Sequence, residues 1–333
     1  MDVVLAAIAV MLFFVCVSIG GNNAPKAVSG LHAVVSLKYR SLALFLGVFM
    51  VLGAALQAEG ISETIGNGIL EKGSVSGDRM FLVAIFIPIV LIAVALTFLG
   101  VPVSMSQITV GSVIGVGFLG GDPSSLNYLV IGKILASWVL VPIASCILTY
   151  LLHRLIFAPL SRMLSLTSYS RVFILLTILA SIVVSYEIGV TNAGAILGPL
   201  VGSHVLDQVT IRDYVIYPMI FLPALVGISL GIGAISLGEP VSYTLEKKIA
   251  VLDPVSSFSS QLGACVVVYV FIVSGIPISI GQAIVGGISG IGLVKGMNLM
   301  GNQTLKKIFL VWLGTPVAAL ILSALLYRMF LIL

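Results

Sequence analysis

The sequence is poor in charge. It has 16 basic and 12 acidic side chains among 333 residues, so charged residues make up 8%, where soluble proteins have about 25%. The longest charge-free stretches are Phe81–Gly121 and Pro254–Val294. About 20 apolar residues let a helix cross the bilayer, and both faces of these stretches are apolar, which excludes a membrane β-barrel. The scarcity of charge predicts an all-α polytopic membrane protein with about ten spans.

Residues of redox, metal and nucleophilic sites are also scarce. The three cysteines lie inside apolar stretches without C-x-x-C spacing, which is typical of packing residues. The three histidines lie in or near predicted loops, and no H-E-x-x-H motif is present. This pattern argues against an intramembrane enzyme and predicts no cofactor or metal. The net charge of +4 comes from basic residues in short loops and is explained by membrane topology, so we expect no nucleic-acid partner.

The chain repeats itself. The segment Gly100–Gln107 (GVPVSMSQ) recurs 175 residues later as Gly275–Gln282 (GIPISIGQ). The only two tryptophans, Trp138 and Trp312, follow at corresponding places. The persistence of order and spacing predicts a duplicated fold rather than chance similarity.

A shorter similarity links Ile19–Asn23 with Ile188–Asn192 and sets the boundaries of the repeats. We predict a first repeat over residues 1–155, a linker over 156–171 and a second repeat over 172–333. The linker region is rich in arginine and lacks acidic residues, which places it in the cytoplasm. The charge-free first span favours an outside N-terminus. Each repeat then crosses an odd number of times, so the second is inverted and both termini lie outside a cell membrane.

Two kinds of interruption occur in the apolar sequence, each of them twice. Clusters of glycine and asparagine at Gly20–Lys26 and Gly189–Gly194 disfavour an uninterrupted helix and offer N-cap residues. The repeated Pro-Val/Ile-Ser segments lie within long uncharged stretches that suit a span plus a re-entrant hairpin. Small and polar residues also serve close helix packing. Breaks at corresponding places of two repeats nevertheless favour a transporter's binding site.

Such a site would bind a small oxyanion. Helix N-termini present free N–H groups and a partial positive charge, and we expect four of them to converge with hydroxyl and amide donors. An intramembrane lysine, Lys26, adds a full charge, unless it reaches the membrane interface or neutralises an acid. The predicted substrate-binding residues are Gly21, Asn22, Asn23, Lys26, Ser104, Ser106, Gln107, Thr191, Asn192, Ser279 and Gln282.

These motifs resemble those of the inorganic phosphate transporter (PiT) family. Its two G-A-N-D-V-A-N-A signatures are similar to Gly20–Ala27 and Gly189–Ile196, and its two G-L-P-V-S-T-T-H hairpins are similar to the repeated segments that end in glutamine. The resemblance covers almost the whole chain. It implies a two-repeat transporter with a transport domain and a scaffold, uptake of an anion coupled to Na⁺ or H⁺, and a homodimer.

The departures from the family pattern change the expected substrate. The signature aspartates, which hold Na⁺ in the family, correspond to Asn23 and Asn192, an asparagine corresponds to Lys26, and both hairpin histidines are glutamines. Phosphate carries a proton near neutral pH and needs an acceptor, whereas sulfate needs donors only, and an asparagine amide supplies one. The sequence therefore resembles the sulfate permease branch of the family. We favour sulfate over phosphate, with other tetrahedral oxyanions as further candidates.

Without the aspartates, coupling needs another carrier. Glu187 lies two residues before the second signature, and burial favours the neutral, protonated form of a carboxyl group, so Glu187 could carry a proton. Its alternative role is as a structural partner of Lys26. We therefore predict sulfate uptake by proton symport through alternating access. A Na⁺-coupled phosphate symporter and a passive anion channel are the alternatives.

Overall fold

The computed structural model describes residues 3–71, 74–75, 77–120, 123–207, 209–211, 214–249, 252–296 and 301–332. Its α-helices are α1 (Val3–Asn23), α2 (Pro25–His32), α3 (Tyr39–Gln57), α4 (Glu59–Glu63), α5 (Arg79–Phe98), α6 (Met105–Gly115), α7 (Tyr128–Leu152), α8 (Ala158–Arg162), α9 (Leu166–Ser203), α10 (Leu222–Leu237), α11 (Glu239–Lys247), α12 (Pro254–Val273), α13 (Ile280–Lys295) and α14 (Asn302–Ile332). Two short strands, β1 (Val209–Ile211) and β2 (Tyr214–Ile216), form an antiparallel hairpin between α9 and α10. The prediction of a helical membrane protein is confirmed.

Among the described residues, seven helical stretches are long and apolar enough to cross a membrane. An eighth arises if α10 and α11, bent by 70° at their junction, count as one span. The apolar helices α6 and α13 are too short for a full crossing, since a helix rises about 1.5 Å per residue. The protein is therefore multi-pass, while the count of about ten spans stays a prediction.

The two predicted repeats interleave rather than form separate bodies. The short helix of each half packs on the last long helix of the other half, α6 on α14 and α13 on α7. Ser323 of α14 donates a hydrogen bond to the Ser112 carbonyl of α6 (2.9 Å), and Trp312 donates to the Pro102 carbonyl (3.2 Å). Any site between the short helices is therefore built by both halves. The boundaries 1–155, 156–171 and 172–333, and the inversion of the second repeat, stay predictions.

The two signature segments differ from the predicted breaks. The second lies inside the continuous 38-residue helix α9, so the break predicted there is wrong. A Cβ at Gly189 would lie 2.0 Å from the Met50 carbonyl oxygen, which shows that this glycine permits close packing on α3. Asn192 hydrogen-bonds the Ile188 carbonyl of its own helix (2.7 Å) and does not cap a new one.

The first signature contains only a one-residue interruption. Helix α1 ends at Asn23 and α2 begins at Pro25, and the intervening Ala24 keeps helical φ and ψ of −58° and −36°. Pro25 has no N–H, so one intrahelical bond is missing while the chain continues in nearly helical form. The expected four helix N-termini are therefore two, those of α6 and α13.

Those two N-termini are prepared in the same way. Gly100 and Gly275 lie two residues after the ends of the preceding helices α5 and α12. Their φ values of +64° and +66° are in the left-handed region that favours glycine. In both, the residue after the glycine hydrogen-bonds back to the carbonyl five residues earlier, as in a Schellman motif. A short extended segment then leads to a serine N-cap, Ser104 or Ser279.

Candidate functional site

The two serine N-caps lie in the interior of the protein, at the N-termini of α6 and α13. Ser104 accepts a hydrogen bond from the Gln107 backbone N–H (3.3 Å) and Ser279 accepts one from that of Gln282 (3.3 Å). A serine cap satisfies one of the first backbone donors of a helix and leaves others free. Both caps are buried. Two donor-rich helix ends, one from each half, are thus available for an anion.

A small cavity of about 10 Å³ lies between these ends and the signature segments. Six predicted residues line it: Asn23, Lys26, Ser106, Thr191, Asn192 and Ser279. The structure brings these six together from both halves. The volume suits about one water molecule and is smaller than a tetrahedral oxyanion, so binding requires the lining groups to move apart.

A chain of hydrogen bonds crosses the cavity wall. Asn23 donates to Asn192 Oδ1 (2.6 Å), and Asn192 donates onward to the Ile188 carbonyl. Lys26 Nζ donates to Asn23 Oδ1 and to the Val103 carbonyl (2.7 Å). Val103 lies in the segment that joins α5 to α6; these two helices are called the first hairpin, and α12 and α13 the second. The network joins the two signatures to the first hairpin.

Lys26 is the basic side chain of this network, and it has no carboxylate partner among the described residues. Only 1% of its surface is exposed, so it does not extend to the membrane interface. No ion pair involves it among the described residues. Within the described part of the chain, no acidic side chain lines the cavity. The described lining of the cavity is therefore basic and donor-rich, without an acidic group.

Three predicted site residues support the wall and do not line the cavity. Asn22 accepts a hydrogen bond from the Val103 N–H (2.7 Å) and donates to the Val101 carbonyl (3.0 Å) and to Thr97 (3.1 Å). These bonds hold the extended segment between α5 and α6 in place, and Asn22 is therefore called a clamp below. Gly21 packs on α10, where a Cβ would lie 2.6 Å from Cβ of Leu237. Ser104 likewise acts through its cap and through its contact with Ser106 (3.2 Å).

The two glutamines lie elsewhere. Gln107 and Gln282 line a separate cavity of about 700 Å³, whose other walls are mainly apolar and include Trp138 and Trp312. The Oε1 atom of each glutamine is buried without a hydrogen-bond partner. The structure therefore does not place these glutamines at the small cavity, because their side chains point away from the capped ends of α6 and α13.

Sequence reasoning missed one neighbour of Lys26. Gly281, in the first turn of α13, lines the small cavity, and a Cβ there would lie 2.7 Å from Lys26 Nζ. The matching position of the first repeat is Ser106, 175 residues earlier. The available signal was that the second repeat has a glycine at this position, where the first repeat has a serine.

Glu187 is buried on α9, with 1% of its surface exposed. Neither carboxyl oxygen has a hydrogen-bond partner among the described residues, so its alternative role as a structural partner of Lys26 is not what the geometry shows. Thr191 donates to the Glu187 backbone carbonyl (2.9 Å). Glu187 lies outside the cavity lining, next to the signature that contributes Asn192.

Known proteins are similar to this chain along most of its length. The family model described as "Phosphate transporter family" matches residues 19–323. A protein of Methanocaldococcus jannaschii, provisionally named a phosphate permease, is 29% identical over 96% of each chain. The sulfate permease CysP of Bacillus subtilis is 28% identical over 98% of this chain and 88% of its own.

The fold has a solved counterpart. A structure titled "The sodium-dependent phosphate transporter" superposes with a TM-score of 0.81 and 21% identity, over 99% of this chain and 100% of that one. At this identity the likeness concerns the fold. Together with the family match, it confirms the expected all-helical membrane fold and the expectation of a transporter rather than an enzyme. The chain belongs to the phosphate transporter family and is a multi-pass membrane transporter of inorganic anions.

Proposed function

We propose that this protein takes up sulfate by proton symport through alternating access. The observation that carries the choice of anion is the absence of a carboxylate among the described residues of the small cavity, which instead offers Lys26 and hydroxyl donors. Sulfate carries no proton near neutral pH and is satisfied by donors alone, whereas phosphate needs an acceptor for its own proton.

The amide oxygens are the alternative acceptors for phosphate, and both are already engaged. Asn192 Oδ1 accepts from Asn23, and Asn23 Oδ1 accepts from Lys26. The hydroxyl group of phosphate would have to share one of these oxygens with the donor already bonded to it. Sulfate needs no acceptor and leaves both bonds as they are. The similarity to a sulfate permease of Bacillus subtilis agrees with this preference.

Alternating access is supported by the size of the cavity. At about 10 Å³ it is closed to an anion, and two capped helix ends from different halves form its walls. Opening therefore requires relative movement of the hairpins, which a continuously open pore would not need. Saturable uptake with counterflow would support a transporter over a passive channel.

Coupling to protons is supported by the buried Glu187. An isolated carboxylate is costly away from water, so a buried carboxyl group without partners is favoured in its neutral, protonated form. Sodium coupling has less support, because the described cavity lining lacks the carboxylates that would offset the dehydration of Na⁺.

The membrane arrangement follows from the sequence. We propose a cell-membrane location, with the arginine-rich linker in the cytoplasm, both termini outside, and two inverted repeats. We also propose a homodimer, as the family resemblance implies.

One assay tests the substrate and the coupling. The purified protein in liposomes should take up radiolabelled sulfate in preference to phosphate, and an inward proton gradient should drive accumulation. A Na⁺-coupled phosphate symporter is the second candidate, favoured by the fold shared with a sodium-dependent phosphate transporter. Phosphate uptake that depends on a Na⁺ gradient and ignores pH would establish that candidate and overturn this proposal.

A further inference from the structure

The hydrogen bonds of the Lys26 amine bear on its protonation state. Its Nζ atom has two acceptors, Asn23 Oδ1 and the Val103 carbonyl oxygen. A neutral primary amine has two N–H bonds and one lone pair, and an ammonium group has three N–H bonds. Both acceptors here are uncharged, so the two N–H bonds of a neutral amine are sufficient for this arrangement.

The third side of Nζ borders the cavity. Lys26 lines it together with Ser106, Ser279 and Gly281, and the lack of a side chain at Gly281 makes room for Nζ at the cavity wall. An anion in the cavity would face either a lone pair or a third N–H. A lone pair repels an anionic oxygen, whereas a third N–H donates a charge-assisted hydrogen bond to it.

Other ionisable groups near α2 do not supply the positive charge that a protonated Lys26 would bring to the cavity. The buried ones on the helices packed against α2 are Cys16 on α1, Tyr39 on α3, Glu187 on α9, Glu246 on α11 and Cys265 on α12. Glu246 is bonded to His32 at the far end of α2 (3.0 Å). Lys295 on α13 forms an ion pair with Asp253 (2.6 Å). Among the described residues, no one of these groups lies within hydrogen-bond distance of Lys26 Nζ.

We propose that Lys26 takes up a proton when the anion enters the cavity and returns it when the anion leaves, so that Lys26 carries a co-transported proton. The step is a simple acid–base reaction: a proton from water on the entry side forms the third N–H bond at Nζ, and that bond breaks as the anion departs on the other side. This inference rests on the proposed anion transport.

The charge balance gives Lys26 a role distinct from that of Glu187. A dianion that crosses alone moves two negative charges through the membrane potential. A proton on Lys26 removes one of them, and a proton on Glu187 would remove the other. The proton on Lys26 is linked directly to binding because its N–H contacts the anion, whereas Glu187 lies outside the cavity lining.

Calorimetry on the detergent-solubilised full chain tests the inference. Sulfate is titrated into the protein at pH 7.5 in two buffers of different ionisation enthalpy, which gives the protons taken up per anion bound. We expect about one proton per sulfate for the unmodified protein. Lys26→Arg keeps a cation that does not deprotonate, so it should bind sulfate with about one proton fewer. Lys295→Arg, the same change outside the cavity, should retain the uptake.

Each outcome is decisive. Failure of the unmodified protein to bind sulfate would contradict the proposed function itself. Sulfate binding without proton uptake, or with equal uptake in Lys26→Arg, would overturn the role of Lys26 and leave sulfate transport intact. If Lys26→Arg does not bind sulfate, Glu187→Gln decides: retained uptake supports Lys26, and lost uptake assigns the proton to Glu187.

Discussion

The two signature segments occupy matching places in the sequence but make different contacts. In the first, Asn22 reaches across to the hairpin before α6 and holds its tip at Val103. In the second, the hydroxyl of the matching residue Thr191 donates to carbonyls of its own helix, and to no other group in the described part of the chain. The first signature therefore positions a hairpin, whereas the second belongs to a continuous helix packed on α3.

The hairpins differ accordingly. The first is held at its tip by Asn22 and Lys26, and the second is held at its base, where Asp253 of the segment before α12 pairs with Lys295 of α13. Among the described residues, no signature side chain hydrogen-bonds the extended segment before α13. The difference indicates that the tip of the second hairpin is the more readily displaced wall of the cavity.

The largest effect is expected from making the hairpins alike at the cavity. Gly281→Ser copies the matching Ser106 and puts a Cβ 2.7 Å from Lys26 Nζ, so the end of this lysine side chain must shift. A hydrogen bond from Lys26 to the anion is charge-assisted and contributes about 1.5–3 kcal/mol, so its loss should lower sulfate uptake about 10- to 150-fold. Initial rates in proteoliposomes give the measurement. Gly314→Ser is the matched control, since a Cβ there meets nothing within 4 Å.

Placing a carboxylate in either signature should change the preference between sulfate and phosphate. Asn192→Asp removes an amide donor and supplies an acceptor for the proton of phosphate, and Asn23→Asp does the same in the first signature. The ratio of sulfate to phosphate uptake should fall about tenfold or more in either variant. Asn67→Asp, which lies in a different cavity beside Glu63, should leave the ratio unchanged. Unaltered selectivity in both signature variants would argue against recognition by donors alone.

A smaller effect is expected on stability, and it separates the two signatures directly. Asn22→Ala leaves the buried Val103 N–H without its partner, which costs about 1–3 kcal/mol and should lower the thermal midpoint by several degrees. Thr191→Ala removes a bond to its own helix and should lower it less. Thermal unfolding of both variants in the same detergent compares them. Equal midpoints would show that the clamp at the first hairpin is unimportant.

The smallest effect concerns the base of the second hairpin. Burial raises the pKa of Asp253, but hydrogen bonds from Lys295 and Ser256 outweigh it and hold the pKa below its usual value. A carboxyl group with a lowered pKa stabilises the fold above its ordinary pKa, and this contribution is lost as pH falls through the lower folded value. Asp253→Ala also removes an N-cap worth about 1 kcal/mol.

The pH dependence checks this interpretation of Asp253. Thermal midpoints of the Asp253→Ala variant and the unmodified protein should differ near neutral pH and converge below about pH 4. A constant difference down to pH 3 would show that the carboxylate charge does not contribute to the stability of the Asp253–Lys295 pair.

Much of the fold and part of the site were predictable. Residue types and a fixed offset were enough to find the paired hairpin segments, since prolines and glycines restrict the backbone locally and serines cap helices. The break at Gly189–Gly194 was wrongly predicted because glycine has two uses. It weakens an isolated helix, but at Gly189 it admits a neighbouring backbone, and packing then stabilises the helix.

The glutamines show the same limit. Their positions after the serine caps predicted a place in the anion site, yet a helix turn directs successive side chains to different sides, and Gln107 and Gln282 face another cavity. Which side of a short helix faces the site depends on its rotation against α7 and α14, and that rotation is set by long-range packing.

The sequence by itself determined the membrane location, the duplicated segments and the types of group available to an anion, because these follow from local composition and spacing. Only the tertiary structure decided that Lys26 lies without a carboxylate partner against Gly281, that Asn22 is a clamp, and that six of the eleven predicted binding residues share one cavity. The physical reason is that the cavity brings together Lys26, Asn192 and Ser279, which lie far apart in the chain, and its geometry depends on the packing of whole helices.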